Sequence, residues 1–511
     1  MLKMATKKTW AQQVIKQDEI DKYLINGKDF IDEREIVRHL EENKNPDKQR
    51  IRDIMQKSLS IERLNPDEVA ALLAVQNEEL LQEIYSTALE VKRKVYDNRI
   101  VFFAPLYCSN LCVNSCLYCG FRKENSDEKR RILTMDEICE ETRIMTREGH
   151  KRMIIVFGEH ERSDANYMVK AIEAAYSVKE KSPKGPGYGD IRRINVNAAP
   201  METSALKKLL EAGIGTYQVF QETYHKPTYK VVHPSGPKSN YQWRLYALHR
   251  AMDAGIDDVA TGALFGIYDW KFEVMGLLYH AMDLEQQFGI GPHTISFPRL
   301  TPASGSKLST DSKYLVSDAH MKRLVAILRL SVPYTGLICT VREKPETHTA
   351  LMTIGCTQTD ASSNIGIGGY TEALKAKAQA QAEGMKQIKN NQQFTLNDTR
   401  SLDEMIREMG KLGMISSFCT AGYRCGRTGD KIMDLLKSCK EGKFCKLNAV
   451  LTYREFLDDY ASEETREIGF PLIEKELAEI KEMPFYKKGD LYESFLNKYE
   501  RICNGERDLY I

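Results

Sequence analysis

Cys112, Cys116 and Cys119 stand together in the run C-V-N-S-C-L-Y-C, three thiols spaced x3 and then x2 after a strand-like apolar stretch. Thiolates at this spacing can ligate three irons of a [4Fe–4S] cluster and leave the fourth iron open, where a ferredoxin site closes it with a fourth cysteine. An open, reducible iron can bind a small molecule directly. The plainer alternatives are a zinc site or a group of reduced core thiols. Zinc sites with C-x2-C usually bring a second pair farther along, and none follows within the next twenty or so residues. Cys108, four residues upstream, is a decoy by its spacing.

The C-x3-C-x2-C spacing resembles the signature of the radical S-adenosylmethionine (SAM) enzymes, in which the open iron chelates the methionyl amine and carboxylate of SAM. That resemblance implies a [4Fe–4S] cluster and SAM as cofactors, and a one-electron reductant protein of ferredoxin or flavodoxin type. Gly158-Glu159 would present groups to the SAM amine, against the alternative of an ordinary strand-to-loop turn. Gln221-Glu222 is a second candidate cofactor contact. Arg299 and Arg342 are planar guanidinium forks suited to a carboxylate held bidentate, the alternative being a salt bridge to a barrel glutamate. His280 sits on an apolar helix face, where a histidine is more often a satisfied core residue than a ligand.

Such residues need a scaffold that gathers them. From Asn98 onward, eight strand-like runs (100–105, 153–157, 194–197, 216–220, 258–264, 294–298, 336–340 and 353–358) alternate with amphipathic helices. This pattern predicts βαβ units and a parallel sheet. Thr134 to Glu137 reads as a capping box, and helices over 205–212, 241–254 and 402–412 each stop at a glycine. Eight βα units predict an α/β fold, a (β/α)8 TIM-type barrel. The cysteine loop, Gly158-Glu159, Gln221-Glu222, Arg299, Arg342 and Gln358 all fall at expected strand C-terminal ends, the rim where barrel active sites form. The expected organisation is a helical N-terminal extension (1–95, with helical periodicity over 67–94), the barrel (96–372), and a helical C-terminal domain with further cysteines (373–511). The last of these begins with a Lys/Ala/Gln-rich helix and the polar linker N-N-Q-Q-F-T-L-N-D-T-R.

Composition excludes several classes. In 511 residues, Lys+Arg 73 against Asp+Glu 72 leaves a net charge of +1, which is no nucleic-acid footprint. No apolar run approaches the roughly 20 residues that span a bilayer, and residues 1–20 have no apolar signal core. Twelve cysteines in so long a chain are too few for a disulfide framework and fit metal ligation in a reducing, cytoplasmic setting.

Longer stretches carry a closer resemblance: Q-V-F-Q-E-T-Y-H-K-P-T-Y (218–229), H-P-S-G-P-K-S (233–239), A-G-I-D-D-V-A-T-G-A-L-F-G-I-Y-D (254–269), G-P-H-T-I-S-F-P-R (291–299) and the C-T-A-x-Y-R-x-G-R-T-G pattern (419–429). From about Asn98 to the C-terminus they resemble the HydG family, radical SAM tyrosine lyases of [FeFe]-hydrogenase maturation. ThiH, the tyrosine lyase of thiamine synthesis, shares the barrel without the cysteine-bearing tail. The resemblance implies L-tyrosine as substrate, cleaved at Cα–Cβ to p-cresol and dehydroglycine. A second cluster in the tail would convert dehydroglycine to carbon monoxide and cyanide, with other hydrogenase maturation proteins as partners. It implies Cys112, Cys116 and Cys119 as cluster ligands, Gly158 and Glu159 as SAM contacts, Arg342 as a carboxylate partner, and His280 beside the second site.

Two departures stand out. The family's tail motif is C-x2-C-x22-C; here Cys419 and Cys445 hold the outer places but the middle one is Gly422. Cys425 is a candidate replacement and Cys439 a weaker one. Near the last strand, Asp360-Ala361-Ser362-Ser363-Asn364 replaces S-A-G-S-R, in a segment expected to line a passage between barrel and tail. Three readings stay open: a cluster on Cys419, Cys425 and Cys445; a tail that holds none, leaving a ThiH-like lyase; or an engineered glycine. Beyond these stand a lyase of another amino acid such as tryptophan, and an iron–sulfur maturation scaffold without turnover.

Overall fold

The computed structural model describes residues 9–383, 393–487 and 489–511. Eight strands follow one another around a closed parallel barrel: β1 (Arg99–Ser109), β2 (Arg152–Phe157), β3 (Arg193–Asn197), β4 (Tyr217–Gln218), β5 (Val259–Gly262), β6 (Thr294–Ser296), β7 (Gly336–Cys339) and β8 (Gln358–Asp360). Val101 opposite Gln358 and Phe103 opposite Asp360 close the ring. The fold is thus the expected (β/α)8 barrel. Helices between the strands cover its outside, as right-handed parallel crossovers require. The first of them, Met135–Arg147, opens on the capping box, with Glu137 N–H donating to Thr134 Oγ1 at 3.3 Å.

Packing and capping moved several expected boundaries. The periodic stretch 67–94 divides into Pro66–Ala74 and Glu78–Tyr96, because Asn77 caps a new helix by accepting from Leu80 N–H at 3.0 Å. The run expected as the last strand begins in a helix. Pro345–Ile354 opens on proline and buries Leu351 and Met352, so Thr353 and Ile354 stay helical despite their strand propensity. The strand β8 therefore begins at Gln358, which stands at the lower end of the barrel and not at the upper rim.

The tail is also more than helical. A ninth strand, β9 (Ile415–Ser417), pairs in parallel with the start of β1, Arg99 opposite Ile415 and Val101 opposite Ser417. One hydrophobic cluster runs from the N-terminal helices (Leu72, Val91) through the outer barrel helices (Leu324, Leu328) into the tail (Met405, Leu447, Phe456). The first residues of the expected polar linker, within 384–392, lie outside the described residues.

Strand alternation sorts the barrel interior into layers. Tyr107 and Val156 face the upper mouth. Phe103, Ile154 and Ile338 form an apolar middle. Below it, at or beside the strand starts, come Arg99, Arg152, Arg193, Asp258, His293 and Gln358, all buried. The apolar layer separates a polar pocket above, the upper chamber, from a cluster of buried polar residues below, called the lower chamber.

Candidate functional site

The upper chamber is built around the cysteine loop. Backbone hydrogen bonds stitch this loop to three other segments: Val113 N–H to Glu159 O (2.9 Å), Leu117 N–H to Val232 O (3.0 Å), and Gly120 N–H to Gln393 O (3.2 Å). Gly158 donates its N–H to Ser109 O at 2.9 Å, and a Cβ there would overlap the Leu111 carbonyl, so only glycine lets the β2 turn approach so closely. Cys112, Cys116 and Cys119 share the wall of one pocket with Gly158, Glu159, Glu222, Lys238 and Arg342. Among the described residues no three His, Cys, Asp or Glu side chains stand close enough to hold a single metal ion.

Burial raises the Cys112 thiol, and pushes Cys116 up to about 12 although the Lys238 ammonium pulls the other way. Ligation would therefore have to displace protons from buried thiols. Glu159 is also raised by burial. Its Oε2 accepts from Asn114 Nδ2 at 2.6 Å, while its buried Oε1 has no partner among the described residues. Such an unmatched acceptor, beside three cysteines, suits an ammonium donor. The donor set fits a cysteine-held cluster with an amino-acid-like ligand beside it.

Arg342 completes the chamber. Its guanidinium lies 3.3 Å from the Phe394 ring centroid, with no hydrogen-bond or ion-pair acceptor among the described residues. Burial lowers its pKa. A fork held by its face and free at its edges can take a carboxylate bidentate. Glu222 lines the same pocket with its backbone in the left-handed region (φ 71°). Burial works against its charge, but Lys238 Nζ at 2.7 Å and Arg244 Nη2 at 3.3 Å outweigh it and hold the carboxyl low.

Other expected residues stand elsewhere. Arg299 is committed to Glu343 (2.6 Å), Asp318 (2.5 Å) and Val316 O (2.8 Å), so its donors are already used. Gln221 is buried behind the pocket wall, its Nε2 3.4 Å from Tyr241 O. The 360–364 segment follows the end of β8 and reaches the tail helix that opens at Leu402. Asp360 accepts from Val341 N–H (3.0 Å) and Ser363 Oγ (2.6 Å), and Ser362 Oγ accepts from Leu402 N–H (2.8 Å).

The lower chamber holds the tail cysteines. The neighbouring Cys445, with Arg99, Arg193 and Arg152 around the pair, holds the Cys419 thiol well below its ordinary range against the opposing effect of burial. Cys445 Sγ also lies 3.1 Å from Glu441 Oε1. Burial brings Arg152 down to about 9, and its Nη2 donates to Gln358 Oε1 at 3.0 Å. Cys425, at the end of the helical turn Ala421–Arg424, is not among the partners of this pair. Gly422, inside that turn, has open space: a Cβ would meet only Arg427 O at 3.7 Å.

His280 is not in this chamber either. Its helix, Trp270–Phe288, turns it toward Tyr224 OH (2.9 Å), Thr261 Oγ1 (3.3 Å) and the His249 ring, all in the protein core. The histidine beside the tail cysteines is His293, 3.8 Å from Asp258, with its Nδ1 unpartnered among the described residues. Sequence reasoning also missed Asn114, Lys238, Gln393 and Phe394. The first two lie inside recognisable motifs; the last two carry no local signal.

Two family descriptions match the chain: the Radical SAM superfamily over residues 106–275 and the Biotin and Thiamin Synthesis associated domain over 296–415. A solved structure of HydG, a maturase of the [FeFe]-hydrogenase, superposes with a TM-score of 0.86 at 43% identity, covering 95% of this chain and 100% of that one. HydG from Carboxydothermus hydrogenoformans does so at 0.74 and 36%, covering 94% and 99%. The 2-iminoacetate synthase of Escherichia coli (strain K12) is 28% identical over 320 residues, 62% of this chain and 81% of its own length. Radical SAM membership implies a [4Fe–4S] cluster and SAM. With whole-length identity of this order to a solved maturase, the chain belongs to the HydG family of radical SAM proteins.

Proposed function

We propose that the protein is a radical SAM carbon–carbon lyase that cleaves L-tyrosine to p-cresol and dehydroglycine, and that its reaction stops there. One observation carries the reading: a single pocket presents three cysteine thiols together with a glutamate oxygen and an arginine fork that have no partner among the described residues. In this reading Cys112, Cys116 and Cys119 hold the cluster, which with SAM supplies a carbon radical able to remove a hydrogen atom from the substrate amine. Arg342 takes a carboxylate and Phe394 fixes the plane of the fork. Glu159, steadied by Asn114, accepts from an ammonium group. Tyr118, whose hydroxyl pairs with His233 Nε2 at 2.8 Å, and Leu300 add apolar wall to the pocket. The buried walls keep water from the reacting atoms. A ferredoxin- or flavodoxin-type protein would deliver the electron, and hydrogenase maturation proteins are the expected partners.

The stop at dehydroglycine rests on the lower chamber, which offers Cys419 and Cys445 but, at the family's middle position, Gly422. The test is a substrate panel: reconstituted protein with SAM and dithionite, given tyrosine, tryptophan or no amino acid. Tyrosine alone should stimulate 5′-deoxyadenosine release, with p-cresol in step. Stimulation by tryptophan and not tyrosine would overturn the substrate assignment.

A further inference from the structure

Residues Gln393 to Asp398 cross the upper mouth as a strap. Thr395 N–H donates to Pro302 O at 2.8 Å, and Asn397 and Asp398 N–H both donate to Val341 O, at 3.1 and 3.0 Å. Besides the Gly120 bond to its carbonyl, Gln393 uses both ends of its side chain. The Tyr107 hydroxyl donates to Oε1 at 2.9 Å, and Nε2 lies 3.4 Å from Cys119 Sγ. A metal-bound thiolate can only accept, so the NH2 end faces the sulfur and Oε1 is left to accept from the Tyr107 hydroxyl. The sulfur here is a thiol standing for a metal-bound thiolate, which is the stronger acceptor. Asn114 Nδ2 approaches Cys112 Sγ in the same way, at 3.6 Å, but from within the cysteine motif. Gln393 reaches across 274 residues of sequence. Its neighbour Phe394 carries the Arg342 guanidinium, so one dipeptide touches both the cysteine loop and the carboxylate fork.

Hydrogen bonds to cluster sulfurs stabilise the more negative, reduced state and so raise the reduction potential. We propose that Gln393 is a positioning residue for the cluster: its amide N–H, aimed by Tyr107, donates to the Cys119 sulfur and makes the cluster easier to reduce. The inference rests on the reading of Cys119 as a cluster ligand.

The test is a potentiometric titration followed by electron paramagnetic resonance, on reconstituted full-length protein without amino-acid substrate. Wild type is compared with Gln393→Met, which keeps the length and loses the donor. Gln393→Glu keeps the shape and the Tyr107 acceptor but cannot donate when ionised. At matched iron content, the reduced-to-oxidised ratio at a fixed applied potential should fall about fivefold in Gln393→Met, the size of one hydrogen bond's net contribution. It should fall at least as far in Gln393→Glu. Equal potentials in all three proteins would overturn the proposal. A shift in Gln393→Glu alone would overturn it as well, because charge without the hydrogen bond would then suffice. Iron–sulfur uptake unchanged in Cys119→Ala would sink the ligand reading, and this inference with it.

Discussion

The two ends of the barrel use the same residue types, cysteine and arginine, to different effect. At the upper mouth three thiols stand on one loop stitched by backbone hydrogen bonds to β2, to the 232–236 segment and to the strap at Gln393. Arg342 there has no acceptor among the described residues, while Arg244 is paired with Glu222. At the lower end Cys419 and Cys445 come from different elements, stand side by side as free thiols, and sit among three arginines, Asp258 and Glu441, with Arg193 paired to Asp258 at 3.2 Å. A chamber with free donors and an unmatched acceptor can bind a zwitterion. A chamber lacking its third thiol cannot close a three-cysteine ligand set. On the proposed reading, the lyase step belongs to the upper end and no second step to the lower.

The largest effect expected is at the top. Cys116→Ala should reduce SAM cleavage to background and remove one cluster's iron, while Cys425→Ala leaves both unchanged; iron analysis with 5′-deoxyadenosine assay reads this. Next comes a gain at the bottom. Gly422→Cys places a thiol where a Cβ already fits, and should add a second cluster's worth of iron and a second paramagnetic signal. If no iron is gained, the missing thiol is not what keeps the lower chamber from holding a cluster.

Much of the upper site was legible because it is local in sequence. The cysteine triplet, the Gly158-Glu159 turn and Arg342 each sit a few residues past a strand with strong apolar patterning. The lower chamber was not, because Arg99, Arg152, Arg193, Asp258, His293 and Gln358 lie near the starts of six different strands and only closure of the ring assembles them. Gln358 was placed at the wrong rim because helix packing, which no local propensity reports, delayed β8. His280 and His293 are thirteen residues apart in similar apolar surroundings, and only the helix orientation separates the core residue from the chamber residue. Arg299 and Arg342 look alike in sequence; Glu343 and Asp318 distinguish them in space.

A third effect is smaller. Arg342→Lys keeps the charge but loses the planar fork, and should lower kcat/KM for tyrosine about 10- to 100-fold, mainly through KM. An equal loss in Arg299→Lys would erase the distinction between the two arginines.

The smallest effect concerns the loop behind the pocket. Burial pushes the Glu273 carboxyl up to about 8, although the Thr223 hydroxyl and Tyr224 N–H (2.8 Å) pull it down. Because its folded value lies above the ordinary carboxyl range, the stability it contributes is complete at low pH and is lost as pH rises through about 8. Wild type should therefore lose several degrees of Tm between pH 6 and 8.5 relative to Glu273→Gln, measured by thermal unfolding in matched buffers. Parallel curves for the two proteins would place the pH sensitivity elsewhere.

The measurement that bears most directly on the comparison is an anaerobic assay of reconstituted enzyme with SAM, dithionite and L-tyrosine, quantifying p-cresol and cyanide in the same sample. The account predicts p-cresol without cyanide, the upper chamber acting and the lower one idle. Cyanide in step with p-cresol would contradict it, and would mean that Cys419 and Cys445 complete a working second site without a thiol at position 422.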